Sequence, residues 1–236
     1  MEAADLTIVA GFGDTRRTLA GWNRTPGAVL APWTVAALAI AALLLLAVWA
    51  IASVSRPDLT PVILPGLNAP PTLHAVGRVL ERNSLVLALH SLACVAGYIA
   101  GSSLPREAKT YRGVVRAIHE HAGPLAIAFV SGATLFSLTT QAYVLGSGAS
   151  TLAFQGGIAP GLLLTGLLPH AVPELVALFL PLAAWLRASR RGAWNELLAA
   201  TVVTTGLAIP LLVLAAFIEV YVSPHFLLWL RATQLG

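Results

Sequence analysis

Between Ala122 and Pro173 the sequence contains no aspartate, glutamate, lysine or arginine. In water, a stretch of that length would have to be wrapped by other parts of the chain, because apolar surface is driven out of water. The remainder cannot supply the wrapping. Hydrophobic residues make up 57% of the chain and charged residues 10%, against roughly 25% charged in soluble domains. The sequence therefore reads as an all-α, polytopic transmembrane helix bundle. A bilayer core about 30 Å thick takes about 20 apolar residues per helix. Five runs meet that length: 33–52, 84–102, 122–144, 158–186 and 197–222. Residues 1–32 are expected to form a cytoplasmic leader, 33–222 a single bundle and 223–236 a short outer tail.

The basic residues set the expected orientation. With the N-terminus inside, the cytoplasmic segments carry Arg16, Arg17, Arg24, Arg106, Lys109, Arg112, Arg116, Arg187, Arg190 and Arg191, and the outer ones Arg56, Arg78, Arg82 and Arg231. Ten against four favours N-inside and C-outside in a bacterial cytoplasmic membrane. Spread among apolar spans in this way, the positive charge fits lipid phosphates and no nucleic acid. The first apolar run follows Arg16-Arg17 and ends on Ala50-Ile51-Ala52, which looks like a signal-peptide cleavage site. Its 20 residues exceed the roughly 7–15 of a signal core, so it is expected to stay as an anchor. Cys94 is the only cysteine, which excludes an intrachain disulfide and a cysteine-based metal framework.

The fourth run is unusually long. Residues 158–186 would make a helix of about 43 Å at 1.5 Å per residue, with Pro169 and Pro173 in its middle, each lacking a backbone donor. Two readings stand. The span is broken, with 158–168 a half-helix or re-entrant piece before it, or it is a single kinked helix.

Ionisable groups inside spans cost about 2.5–3.5 kcal/mol on insertion scales, so they need partners or a task. His170 and Glu174 stand four residues apart, on one helix face. Glu219 lies near the end of the fifth run, Asn83 begins the second and Gln141 falls in the third. In the expected topology all five gather toward the outer leaflet as a polar cluster. His170 and Glu174 read first as a structural pair at a helix start, and Glu219 as a cluster member or a side chain reaching headgroups. His, Glu and Glu are metal-ligand types, but three ligands from two helices without a second histidine are a weak pattern, and no metal is expected. The second run carries a packing face of His90, Ala93, Gly97 and Gly101, with small residues at four-residue steps. Enzyme motifs are absent, so neither catalytic residues nor a cofactor are expected.

Three segments resemble the stage II sporulation protein M family. Leu168-Pro169-His170-Ala171-Val172-Pro173-Glu174-Leu175 is similar to its Pro-His-Gly-x-x-Glu signature, with Ala171 in place of the glycine. Ala215 to Pro224 is similar to its closing Ile-Glu-Ala-Phe-x-(Ser/Thr)-Pro segment, and Arg82 to Leu89, before Gly97 and Gly101, is similar to its Asn-x-x-x-Ala opening. The resemblance spans roughly residues 78–224. It implies a polytopic membrane protein without enzyme activity of its own. In spore formers such proteins act at the division septum during engulfment and hold peptidoglycan-degrading partners in a complex. The expected function is a membrane scaffold with other membrane or cell-envelope proteins, peptidoglycan hydrolases among them. Small-residue helix faces would also allow a homo-oligomer. The alternatives are a permease or the membrane subunit of an ATP-driven exporter, motivated by the proline-interrupted fourth run, and a metal-dependent intramembrane hydrolase using His170, Glu174 and Glu219.

Overall fold

The computed structural model describes residues 7–60, 65–109 and 111–235; the first six residues of the leader and Gly236 of the tail lie outside them. The described residues form eight α-helices and no extended strand: α1 (Thr7–Trp22), α2 (Pro26–Val54), α3 (Leu73–Tyr98), α4 (Leu104–Ala108), α5 (Gly113–Gly156), α6 (Pro160–Arg191), α7 (Leu197–Phe217) and α8 (Ser223–Leu235). A π-helical turn, Ile99–Ser103, joins α3 to α4, and a second, Ile218–Val222, joins α7 to α8. Five segments are long and apolar enough to cross a membrane: Pro26–Val54, Leu73–Ala108, His121–Gly156, Pro160–Arg191 and Trp194–Thr233. The bundle is all-α, as its apolar run lengths require. Large apolar side chains such as Leu43, Leu46, Phe129, Phe136 and Val202 stand exposed on these helices, where lipid rather than water is the fitting solvent.

One expectation is corrected. The fourth span is neither broken nor preceded by a half-helix: α6 runs without interruption from Pro160 to Arg191. Pro169, Pro173 and Pro181 inside it each remove the one bond they would have donated, to the carbonyls of Thr165, Pro169 and Ala177. The surrounding helix retains the rest of its ladder, and a bilayer offers the freed strand of backbone no water to turn toward. The preceding helix α5 ends one residue before Gly157, whose φ of 63° is the left-handed conformation of a helix stop. Its N–H reaches Phe154 O at 3.1 Å and Ile158 N–H reaches Ala153 O at 3.0 Å, the paired bonds of a Schellman cap.

The chain divides into two compact units, each built from segments of the long helices. The first comprises Met1–Ala37, Val86–Leu135 and Leu178–Ala208. Its interior holds Cys94, Phe179, Ala183 and Leu197. On its surface the half-buried Asp14 accepts hydrogen bonds from Arg17 (2.6 Å) and Arg106 (2.8 Å). Burial works against the Asp14 charge, but the Arg106 and Arg17 hydrogen bonds, aided by their charges, outweigh it and hold the carboxyl below its ordinary value. The second unit comprises Leu38–Leu85, Phe136–Ala177 and Ile209–Gly236. It packs Ala75 and Val76 of α3 against Ala216 and Val220. The segment after α2 is tied to α5 by side chains: Ser150 donates to Ser55 O at 2.9 Å, Asp58 N–H to Thr151 Oγ1 at 3.0 Å and Gln155 to Thr60 O at 2.7 Å.

Candidate functional site

In the second unit, α6 presents His170 and Glu174 one turn apart on one face, as their spacing dictates. Glu219 meets them from the π-helical turn. A nitrogen of His170 and one carboxylate oxygen each of Glu174 and Glu219 lie within 4.8 Å of one another. The turn itself has a local cause. Pro224 has no N–H to give Val220 O, and Ser223 N–H reaches back five residues to Ile218 O. The wider turn carries Ser223 as well as Glu219 to the site. His170 Nδ1 and Ser223 Oγ are 2.7 Å apart, and both residues are buried.

Two arginines complete the polar end. Arg82 Nη2 stands 3.9 Å from Glu219 Oε1, a loose ion pair, and Arg78 lies one turn earlier on α3. Asn83 is buried, 3% exposed, beside the Glu174 carboxyl, and its Nδ2 finds no hydrogen-bond partner of good geometry. Glu219 Oε2 is likewise buried and unpartnered. His170, Glu174, Glu219, Ser223, Arg78 and Arg82 line a cavity of about 580 Å³. Its other walls are aliphatic, with Leu44, Val48, Leu145, Leu163, Leu167 and Leu227 among them.

Of the residues expected in the polar cluster, His170, Glu174, Glu219 and Asn83 are brought together. Gln141 is not: its amide donates to Ser137 Oγ, one turn back on α5, at 3.0 Å. Ser223, Arg78 and the cavity itself were not anticipated. Arg78 and Arg82, four apart on one helix, offered a readable signal; the contact of Ser223 with a histidine 53 residues away offered none.

The packing-face residues belong to the first unit. His90 is fully buried, its Nδ1 2.8 Å from Leu178 O and its ring 5.6 Å from that of Phe179. A methyl at Gly97 would meet Trp185 and Leu197 at 2.8 Å, and one at Gly101 would stand 2.2 Å from the Trp194 ring. Ala93 is buried in the same stretch, and Ser91 Oγ lies 3.0 Å from Thr205 Oγ1. These glycines are where aromatic side chains approach the backbone of α3 and of the π-helical turn that follows it.

Five apolar helices and a polar cluster set in an apolar cavity define a multi-pass α-helical membrane protein. The family model described as Stage II sporulation protein M matches residues 39–224, and the chain belongs to that family. The match takes in Asn83, His170, Glu174, Glu219 and Ser223. No curated protein and no solved structure matches the chain.

Proposed function

We propose that the protein is a non-catalytic scaffold of a cell-envelope complex, seated in a bacterial cytoplasmic membrane with its N-terminus inside and its C-terminus outside. The observation that carries this reading is how the buried polar side chains are used. His90 bonds to a backbone carbonyl of α6 and His170 to Ser223, so each joins one helix to another within its own unit. Such bonds between helices stabilise a bundle in lipid, where packing and polar contacts take over from the hydrophobic effect. Membership of the Stage II sporulation protein M family adds the expectation of envelope partners, peptidoglycan hydrolases among them.

The test is a mild-detergent pull-down of the tagged protein from its native membrane, followed by mass spectrometry. Cell-wall hydrolases or septal proteins enriched with the parent protein are the expected outcome. A second reading, a permease or the membrane subunit of an ATP-driven exporter, is favoured by the cavity and its charged end. A co-purifying ATPase, or solute flux in liposomes that Glu174→Gln abolishes, would put that reading first.

A further inference from the structure

We propose that His170, Glu174 and Glu219 bind one divalent transition cation of the zinc–manganese type, with an open coordination position facing the cavity. Glu219 joins the other two only through the tertiary fold, and the three ligand atoms lie within 4.8 Å of one another. Ligands at about 2.0–2.2 Å from a tetrahedral zinc stand about 3.4 Å apart. The site is therefore closed by a contraction of at most about 1.4 Å, within the reach of a rotating carboxylate.

The histidine is prepared for this role. With Nδ1 committed to Ser223 Oγ at 2.7 Å, Nε2 is the ring nitrogen left to take up a ligand. When Nδ1 carries the proton and donates it to the hydroxyl oxygen, Nε2 presents its lone pair. Metal-bound histidines are oriented in this way by a partner on the second nitrogen. Ser223 is 2% exposed, so the bond is sheltered from competing water.

Two buried atoms add to the spacing of the trio. Glu219 Oε2 has no partner, although leaving a carboxylate oxygen buried and unpaired is costly. Asn83 Nδ2 is a buried donor beside the Glu174 carboxyl that makes no hydrogen bond of good geometry, which leaves it able to turn to an oxygen bound at the cluster. A cation satisfies the first atom, and a water or anionic oxygen bound to that cation satisfies the second. Arg82 is the opposing charge. Its side chain is 65% exposed and 3.9 Å from Glu219, so it is solvated, loosely held and free to swing from the carboxylate.

The donor set selects the ion. One neutral imidazole and two carboxylates balance a divalent charge. The mixed nitrogen and oxygen set, without sulfur, suits zinc or manganese better than copper(I). Magnesium prefers oxygen ligands and keeps its waters. Three protein ligands leave a fourth position, and the aliphatic cavity walls make an amphiphile with an anionic oxygen the class of molecule that would fill it. The π-helical turn that supplies Glu219 is a feature found disproportionately at functional sites. The inference does not rest on the scaffold reading, because it concerns what the cluster binds and not what the bundle holds.

The experiment uses the full chain in detergent, free of any histidine tag. Metal content is measured after purification without chelator. Chelator-stripped protein is then titrated with Zn²⁺, Mn²⁺ and, as a control, Mg²⁺. One equivalent of Zn²⁺ or Mn²⁺ is expected, with Mg²⁺ weaker. Glu174→Gln and Glu219→Gln keep side-chain shape and are expected to weaken binding at least about tenfold. Ser223→Ala, which touches no ligand atom, is expected to weaken it about 10–100-fold. Absence of stoichiometric binding by the parent, or equal binding by both Gln variants, overturns the proposal. Should the variants fail to fold, X-ray absorption at the zinc edge of the loaded parent decides. A shell of one imidazole and oxygen donors supports the site; two or more imidazoles, or oxygens alone, overturn it.

Discussion

His170 and Ser223, 53 residues apart in sequence, meet through a 2.7 Å contact between Nδ1 and Oγ inside the second unit. That contact links α6 to the first residue of α8. A buried polar group that loses its partner costs about 1–3 kcal/mol. Both His170→Ala and Ser223→Ala are therefore expected to lower the melting midpoint in detergent. Glu174→Ala is expected to lower it as well, because it opens a void at a closely set cluster. Parent-like melting of the His170 and Glu174 variants together with lost function would show that these side chains serve function alone.

Gly66 allows no side chain. Its φ is 84°, and a Cβ there would stand 2.6 Å from both Val220 O and Pro224 Cγ. Strained backbone of this kind costs about 1–3 kcal/mol, and the backbone oxygen cannot move aside without disturbing the π-helical turn. Gly66→Ala is expected to destabilise the protein by about 2 kcal/mol or more on those grounds. Gly77→Ala on α3 is the control, with nothing within 4 Å of its added methyl. It is expected to be neutral or stabilising by up to about 1 kcal/mol, the helix preference of alanine over glycine. Denaturation of the two variants side by side checks both expectations.

A comparable test applies to the first unit. Gly101→Ala would drive a methyl into the Trp194 ring, and Gly97→Ala into Trp185 and Leu197. Overpacking of this kind costs about 1–3 kcal/mol. Gly101→Ala is expected to be the worse of the two, since its clash is shorter and falls on a flat, rigid ring. Combining it with Trp194→Ala should recover part of the loss, which a double-mutant cycle in thermal melts would measure.

The acid response of the protein should carry a contribution from Asp14. Its carboxyl titrates below the ordinary value of 3.8 in the folded state. A group depressed in this sense stabilises the fold at pH above its unfolded value, and that stabilisation disappears as pH falls through the folded value. Asp14→Asn is therefore expected to melt below the parent at neutral pH. The gap should begin to close as pH drops past about 3.8 and vanish below the folded pKa. A gap that stayed constant down the acid range would show that the Arg17 and Arg106 bonds do not depend on the Asp14 charge.

The helices were legible because their signal is local. A run of twenty apolar residues declares a span whatever surrounds it, and the four-residue step from His170 to Glu174 places both on one face before any fold is known. What could not be read is what depends on distant chain. Ser223 looks like an ordinary residue before a proline until His170 arrives beside it. Gln141 has the polarity of a cluster member, but its amide donates to Ser137 on its own helix and it does not line the cavity. The prolines of α6 misled for a different reason. Their local cost is real, but with Pro181 counted it falls on three hydrogen bonds of a 32-residue helix, too few to break it.

The π-helical turn at Ile218–Val222 has a consequence for any helical wheel drawn through this region. Each residue advances an α-helix by about 100°, and a π turn holds one residue more than the α turn it replaces. The faces of α8 are therefore rotated by one position relative to a projection carried straight on from α7. A wheel that ignores this would assign lipid-facing positions of α8 to the interior. A related chain shorter by one residue at this point could keep the same contacts outside the turn, losing only the wide loop that brings Glu219 and Ser223 together.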